Sequence, residues 1–226
     1  MVTGGSCGIG AAIVEALGAE GMRVINADVR EGISEGQQVH YRYCDVSRGD
    51  EVDGLFRFVT ETYGVPEVLL LNAGVGVHEK LTEGDPAKWQ QVLDTNVMGA
   101  LRMIRAFVPA MLERGAGHIV FLSSISAGMP YAYGGVYAAS KAALETIAAT
   151  LRVEVGEQLR VSIVSPGLTA TGFFQHELQG GRSLTDFPGG ALDATAVAAQ
   201  VMHVLRQPNG IVIDNIVIRP KTQLLH

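Results

Sequence analysis

Along the chain, short runs of apolar and β-branched residues alternate with stretches in which apolar residues recur every three to four positions. The runs Met22–Asp28, Val39–Cys44, Glu67–Asn72, His118–Ser123, Leu159–Ser165 and Ile211–Ile218 predict strands. Between them, Val52, Leu55, Val59 and Tyr63 recur at helical spacing, as do Leu144, Ile147, Leu151 and Val155, and later Val197, Val201 and Val204. Most strand candidates are continuous apolar runs, as expected where both faces of a sheet are covered. This alternation predicts an α/β fold: a single doubly wound parallel sheet with helices on both faces, one domain over residues 1–226 and no internal repeat.

Three segments break the pattern. Only Met1, Val2 and Thr3 stand before the first glycines, so the first strand, which should occupy the middle of the sheet, is shortened. Between Asp28 and Val39 lie ten residues, near the minimum for a crossover, so any helix there is vestigial. Gly172–Leu192 is irregular and rich in Gly, Phe and Gln. It reads as a substrate-covering loop over the edge of the sheet, with Phe173, Phe174, Leu178, Leu184 and Phe187 as an apolar lid.

Composition narrows the function. The chain has 226 residues, 47% hydrophobic and 18% charged, as in an ordinary globular domain. Lys and Arg number 17 against 23 Asp and Glu, a net charge of −6 without a basic stripe, which argues against nucleic acid or an anionic membrane as partner. The longest uncharged run, Gly115–Ser140, is too punctuated by glycine, serine and Pro130 to span a bilayer. The first motif begins almost at Met1, so the expectation is that no signal peptide precedes it. Cys7 and Cys44 have neither metal-ligand nor disulfide-framework spacing, and the histidines are scattered. The expectation is a reduced, cytoplasmic protein without a structural metal.

The opening "TGGSCGIG" places Gly4, Gly8 and Gly10 between the strand remnant and the helical run Ala11–Ala19. Such a turn lets the backbone approach a pyrophosphate, which the helix N-terminus then attracts. A plain strand–helix turn is the bland alternative. The next strand candidate, "VINAD", ends in Asp28, whose carboxylate can accept both hydroxyls of an adenosine ribose and repel a 2′-phosphate. Cys7 stands where a basic side chain would hold that phosphate, and Arg30 is the nearby cation. The pattern favours NAD over NADP.

With these residues the chain resembles the short-chain dehydrogenase/reductase family, by ordered motifs from Thr3 to Thr171. They are the turn just quoted, "CDVS" with Asp45, "LNAG" at Asn72–Gly74, "DTNVMG" with Asn96, "FLSSIS" with Ser124, "VYAASKAAL" with Tyr137 and Lys141, and "SPGLTATG". Leu71 stands where the family more often has an asparagine. The resemblance implies a Rossmann-type fold and an oxidoreductase acting on CH–OH groups. Its implied cofactor contacts come from Gly4, Ser6, Cys7, Gly8, Ile9, Gly10, Asp28, Asp45, Val46, Asn72, Ala73 and Gly74, with Asp45 on the adenine side and Val46 flanking the ring. Tyr137, Lys141, Pro166, Gly167, Thr169 and Thr171 complete the implied set, Thr171 as a hydroxyl donor to the carboxamide. Asn96, Ser124, Tyr137 and Lys141 would be catalytic, Asn96 by positioning a water that connects Lys141 to solvent. The resemblance also implies a homodimer or homotetramer, through the alanine-rich helix after Tyr137.

Elementary chemistry gives the pair its roles. Residues four apart on a helix are neighbours. A free tyrosine titrates near pH 10, and an ammonium and an oxidised nicotinamide beside it both favour phenolate. Tyr137 then takes a proton from an alcohol as hydride leaves, or returns one in carbonyl reduction. Ser124, at a strand end, steadies the reacting oxygen. Against this NAD-dependent exchange with a small secondary alcohol or ketone stand three alternatives. One is a sugar-nucleotide epimerase of the extended branch, for which 226 residues leave too little substrate domain. A second is a nicotinamide-nucleotide-binding protein that has lost turnover, which would need neither Tyr137 nor Lys141. The third is an NADP-dependent 3-hydroxy acid dehydrogenase, suggested by "IVIDNIVIRPKTQ" at the C-terminal end. Bland readings are favoured elsewhere: Met98, Met103 and Met111 as core, Trp89 as packing with one polar edge, and His78, which follows the Asn72–Gly76 loop, as a solvated loop histidine rather than one that faces the crevice. Thr169 and Thr171 each have a helix cap as the competing role.

Overall fold

A computed structural model of the chain describes residues 1–32, 38–175, 178 and 190–223. Seven parallel strands form the main sheet: β1 (Val2–Thr3), β2 (Val24–Asp28), β3 (Val39–Tyr43), β4 (Val68–Leu71), β5 (His118–Leu122), β6 (Arg160–Pro166) and β9 (Asn215–Ile218). Their spatial order is β3-β2-β1-β4-β5-β6-β9. The short strands β7 (Thr169–Ala170) and β8 (Leu192–Asp193) pair separately. The helices are α1 (Gly8–Ala19), α2 (Gly49–Tyr63), α3 (Pro86–Leu93), α4 (Gly99–Arg114), α5 (Gly135–Val155) and α6 (Ala194–Leu205).

The period of two along each central strand sorts side chains onto two cores. Leu69 and Leu71 of β4, Ile119 and Phe121 of β5, and Val161 and Ile163 of β6 face α2, α4 and α5. Leu70, Val120, Leu122 and Val164 face α1 and α6 on the other side. Both faces are therefore apolar, which explains the continuous runs in the sequence. Each fully buried Leu, Phe or Ile contributes about 1.5–3 kcal/mol.

Half of the expected strand boundaries shift inward by one or two residues and four are unchanged, while the run from Leu159 ends one residue later, at Pro166, and the last strand begins at Asn215 rather than Ile211. The first strand, Val2–Thr3, is central. Val2 and Thr3 pair with Asn26 and Ala27 of β2, and Val2 pairs with Leu70 of β4. Two residues suffice because Leu70 N–H donates to the Met1 carbonyl and Gly4 N–H to the Ala27 carbonyl, extending the ladder at both ends. Sequence order reverses between β1 and β4, and that switch point opens a crevice at the carboxyl ends of the strands.

The segment from α3 to α4 is nearly continuous but passes through a π-helical turn, Asp94–Met98, that carries Asn96. Such turns cluster at functional sites. Met103 and Met111 are core, as expected, but Met98, at the end of the π turn, is 40% exposed. Among the described residues, no helix is long and apolar enough to cross a membrane. Of the ten-residue crossover after Asp28, residues 33–37 lie outside those described, as do Leu184, Phe187 and the Phe174 side chain of the expected lid.

Candidate active site

The strand ends define the site. The Gly4–Gly10 turn follows β1, Asp28 ends β2, Asn72–Gly74 follow β4, Ser123 and Ser124 follow β5, and Pro166 closes β6. All open onto one cavity of about 870 Å³. Every residue expected at the cofactor or catalytic site lines it except Ser6 and Asn96. Ser6 lies beneath: its N–H donates to Asp28 Oδ2 at 2.9 Å and its hydroxyl to the Arg30 carbonyl at 2.6 Å.

The turn is built by the absence of side chains. Gly4 has φ +66°, and a Cβ there would stand 2.8 Å from Ala73 Cα. At Gly10 a Cβ would overlap the Gly4 carbonyl oxygen and lie 2.6 Å from Asn72 Nδ2. Asn72 Nδ2 instead donates to the Thr3 and Gly4 carbonyls at 3.0 and 2.8 Å, locking the turn to the end of β4. The α1 N-terminus has no side-chain cap and no acidic residue in its first turn, which leaves its positive end open to an anion. Asp28 also accepts Arg30 N–H at 3.0 Å through Oδ1, so both carboxylate oxygens are oriented by the backbone. Asp45 accepts Ser47 N–H at 2.9 Å. Val46 packs where a Cβ on Gly99 would stand 2.7 Å away.

Tyr137 and Lys141 lie on adjacent turns of α5, with Lys141 Nζ 5.8 Å from the centre of the Tyr137 ring. Lys141 is buried and donates to the Leu122 carbonyl at 2.8 Å. Burial pushes its pKa down to about 8. At neutral pH it is still predominantly an ammonium, close enough to its titration to respond to a neighbour. Ser124 Oγ accepts Ser126 N–H at 3.1 Å and lies 2.8 Å from Ser126 Oγ, which fixes the hydroxyl at the start of a short turn. The Phe173 ring sits 5.5 Å from Tyr137 and covers that side of the crevice.

Asn96 is neither at the cavity wall nor bonded within its own helix. Its Oδ1 accepts Val75 N–H at 2.8 Å, and its Nδ2 donates to the Val75 carbonyl and to Ser140 Oγ at 3.0 and 2.9 Å. Ser140 in turn donates to the Tyr137 carbonyl at 2.7 Å, so the π turn, the loop after β4 and the active helix form one network. The two threonines separate. Thr171 Oγ1 accepts Phe173 N–H at 3.3 Å, capping the turn Gly172–Gln175, whereas Thr169 donates to the Gly167 carbonyl at 2.9 Å and caps nothing.

Several residues hold places not expected from the sequence. His78, expected to be solvated, lines the cavity with Nε2 2.7 Å from the Tyr131 hydroxyl. Glu145, one turn after Lys141, accepts the hydroxyls of Ser123 and Ser165, both at 2.9 Å, through a single oxygen. Trp89 donates to buried Glu79 at 3.0 Å. Burial raises the Glu79 carboxyl, but hydrogen bonds from Asp85 N–H, Lys88 and Trp89 more than reverse this and leave it below the ordinary value. The "x-x-x" spacing of Glu145 after Lys141 is a usable signal for a shared helix face; for His78 the signal is its place just after the Asn72–Gly76 loop.

A doubly wound sheet with these groups at its switch point defines a dinucleotide-type oxidoreductase fold. The chain belongs to the short-chain dehydrogenase family, whose model matches residues 1–180. It is 32% identical over 231 residues to an uncharacterized oxidoreductase of Staphylococcus saprophyticus, covering 97% of this chain and 96% of that one. It is 34% identical to a glycine betaine reductase of Emericella nidulans, matching 99% of this chain but 19% of that protein. Among solved structures, serine dehydrogenase from Escherichia coli is similar at a TM-score of 0.86 and 26% identity, over 99% and 98% of the two chains. The closed form of serine dehydrogenase complexed with NADP+ matches equally, over 99% and 95%.

Proposed function

We propose that this chain transfers hydride between NAD(H) and a small secondary alcohol or ketone, with Tyr137 as the general acid/base. The observation that carries the reading is the meeting of Ser124, Tyr137 and buried Lys141 in one cavity with the side-chain-free turn at Gly4 and Gly10. When bound, the nicotinamide supplies the hydride acceptor or donor. The Gly4–Gly10 turn and the α1 N-terminus would hold the diphosphate, Asp28 the adenosine ribose, and Asp45 and Val46 the adenine. Lys141 would hold the nicotinamide ribose; Ala73, Gly74, Pro166, Gly167, Thr169 and Thr171 would shape the nicotinamide pocket.

In oxidation, Tyr137 takes the alcohol proton while Ser124 donates a hydrogen bond to the same oxygen. The Lys141 ammonium favours the phenolate, and its low dielectric surroundings strengthen that effect. In reduction Tyr137 returns the proton. Asn96 acts through the loop after β4 and through Ser140, positioning the start of the Tyr137 turn. The single domain, the substrate-covering loop and a homo-oligomeric state belong to this reading. Exposed Ala139, Ala149 and Val153 on α5 are a small apolar face suited to a second copy.

NADP is the runner-up cofactor, favoured by the NADP+ complex of the serine dehydrogenase neighbour and by Arg30 beside Asp28. Calorimetric titration with NADH and then NADPH separates the two: the proposal expects NADH to bind at least about tenfold more tightly. Tyr137→Phe should lower kcat with a secondary alcohol by about a thousandfold or more while NADH affinity stays within about twofold. A variant that keeps full turnover removes the acid/base role. A parent protein that binds neither nucleotide removes the reading altogether.

A further inference from the structure

The wall facing the crevice from residues 131 to 134 is shaped by features that packing alone does not need. Tyr133 has φ +71°, the one non-glycine residue with positive φ among those described. That backbone region is disfavoured for a side chain this large and concentrates at functional sites. Its neighbour Gly134 has no room for a Cβ, which would stand inside the Tyr131 ring, 2.8 Å from Cε1. The ring of Tyr131 therefore lies flat on the backbone that begins α5, three residues before Tyr137. Its hydroxyl is brought to 2.7 Å from His78 Nε2, and both side chains line the cavity. The loop bearing His78 is pinned to the same wall, because Glu79 N–H donates to the Tyr133 carbonyl at 2.9 Å.

Much of the rest of the substrate side is apolar. Met129, Phe173 and Leu178 line it, and Leu178 N–H donates to the Gly76 carbonyl at 3.0 Å, two residues before His78. A phenol–imidazole pair held in such a chamber by a strained backbone has one chemical use besides packing. A hydroxyl bonded to imidazole presents an O–H when the ring nitrogen donates to it, and lone pairs when it donates to the ring. In the first arrangement it donates to a carboxylate or carbonyl oxygen, and in the second it accepts from a substrate hydroxyl.

We propose that Tyr131 and His78 form a specificity subsite for a second oxygen on the substrate, so that the preferred substrates are hydroxy- or carboxy-substituted ketones rather than plain ones. This rests on the oxidoreductase reading above. A subsite that hydrogen-bonds an oxygen favours the substrate that carries it over the analogue that lacks it.

The test uses three ketones of similar size with NADH: butanone, acetoin and acetoacetate. At least one oxygenated ketone should exceed butanone by about tenfold or more in kcat/KM. A preference for acetoin assigns a neutral hydroxyl, and one for acetoacetate a carboxylate. Tyr131→Phe, which keeps the ring over Gly134, should erase that preference through KM, with butanone kcat and NADH affinity unchanged. His78→Leu should do the same, and serves if the first variant is unstable. Equal kcat/KM for all three ketones in the parent overturns the subsite, as does a variant that slows all three alike. Failure of the oxidoreductase reading looks different: no ketone turns over at all, and the subsite falls with it.

Discussion

Alanine at Gly10 and alanine at Gly54 are the same chemical change in two helices, and the structure gives them opposite signs. Gly54 lies inside α2, and a Cβ projecting from it would meet nothing within 4 Å, so alanine there only removes backbone freedom from the unfolded chain. It should stabilise by about 0.5–1 kcal/mol. At Gly10 the added Cβ overlaps the Gly4 carbonyl oxygen and stands 2.6 Å from Asn72 Nδ2, against 3.4 Å or more in an ordinary contact. Relief requires the turn to leave the helix or Asn72 to leave both carbonyls. Overpacking of this kind costs about 1–3 kcal/mol, and each lost hydrogen bond about 1 kcal/mol more. Helix propensity returns about 1 kcal/mol. With both Asn72 bonds lost the net is about 2–4 kcal/mol of destabilisation, or a fall in Tm of about 4–16 °C for a chain of this size. Urea and thermal unfolding of both variants measure the signs, and calorimetry with NADH measures the turn itself. Gly10→Ala should weaken NADH by about tenfold or more, because the displaced backbone is the surface a diphosphate would touch. Should Gly10→Ala prove as stable as the parent and bind NADH equally, the account of why this turn excludes side chains is wrong.

His118 and Glu145 give two further tests. Burial, with a smaller contribution from Arg160, lowers the His118 pKa to about 4 from an ordinary 6.5. Below pH 6.5 the unfolded chain therefore takes up a proton that the folded chain refuses, and stability falls as pH drops towards 4, by up to about 3 kcal/mol. In urea unfolding, His118→Gln should flatten that decline between pH 6.5 and 4.5; an unchanged slope would assign the decline to other groups. Glu145→Leu strands the buried Ser165 hydroxyl and leaves Ser123 only its 3.4 Å bond to the Lys141 carbonyl, at about 1–3 kcal/mol in all, and should lower kcat about tenfold through the displaced Ser124. Glu145→Gln keeps an acceptor oxygen and should restore kcat, whereas equal losses in both variants would point to the charge rather than the acceptor.

The layering, the order of strands along the chain and most of the site are legible in the amino-acid sequence. Periods of two and of three to four residues depend only on local backbone geometry, so they can be read wherever a strand or helix has a distinct apolar face. The glycine turn, Asp28, Ser124, Tyr137 and Lys141 stand out because the proposed chemistry would call for those residue types at strand ends or one helical turn apart. What loops and distant strands do to each other is settled only when the elements dock. Two residues make a central strand because β2 and β4 supply partners on both sides, which no local signal reveals. Asn96 bonds to a loop twenty-one residues away, and Met98 beside it lies out of the core. His78 meets Tyr131 across fifty-three residues of chain. Such contacts are set by how separate elements pack, and a side chain's partner in a docked interface leaves no period in its own neighbourhood to be read.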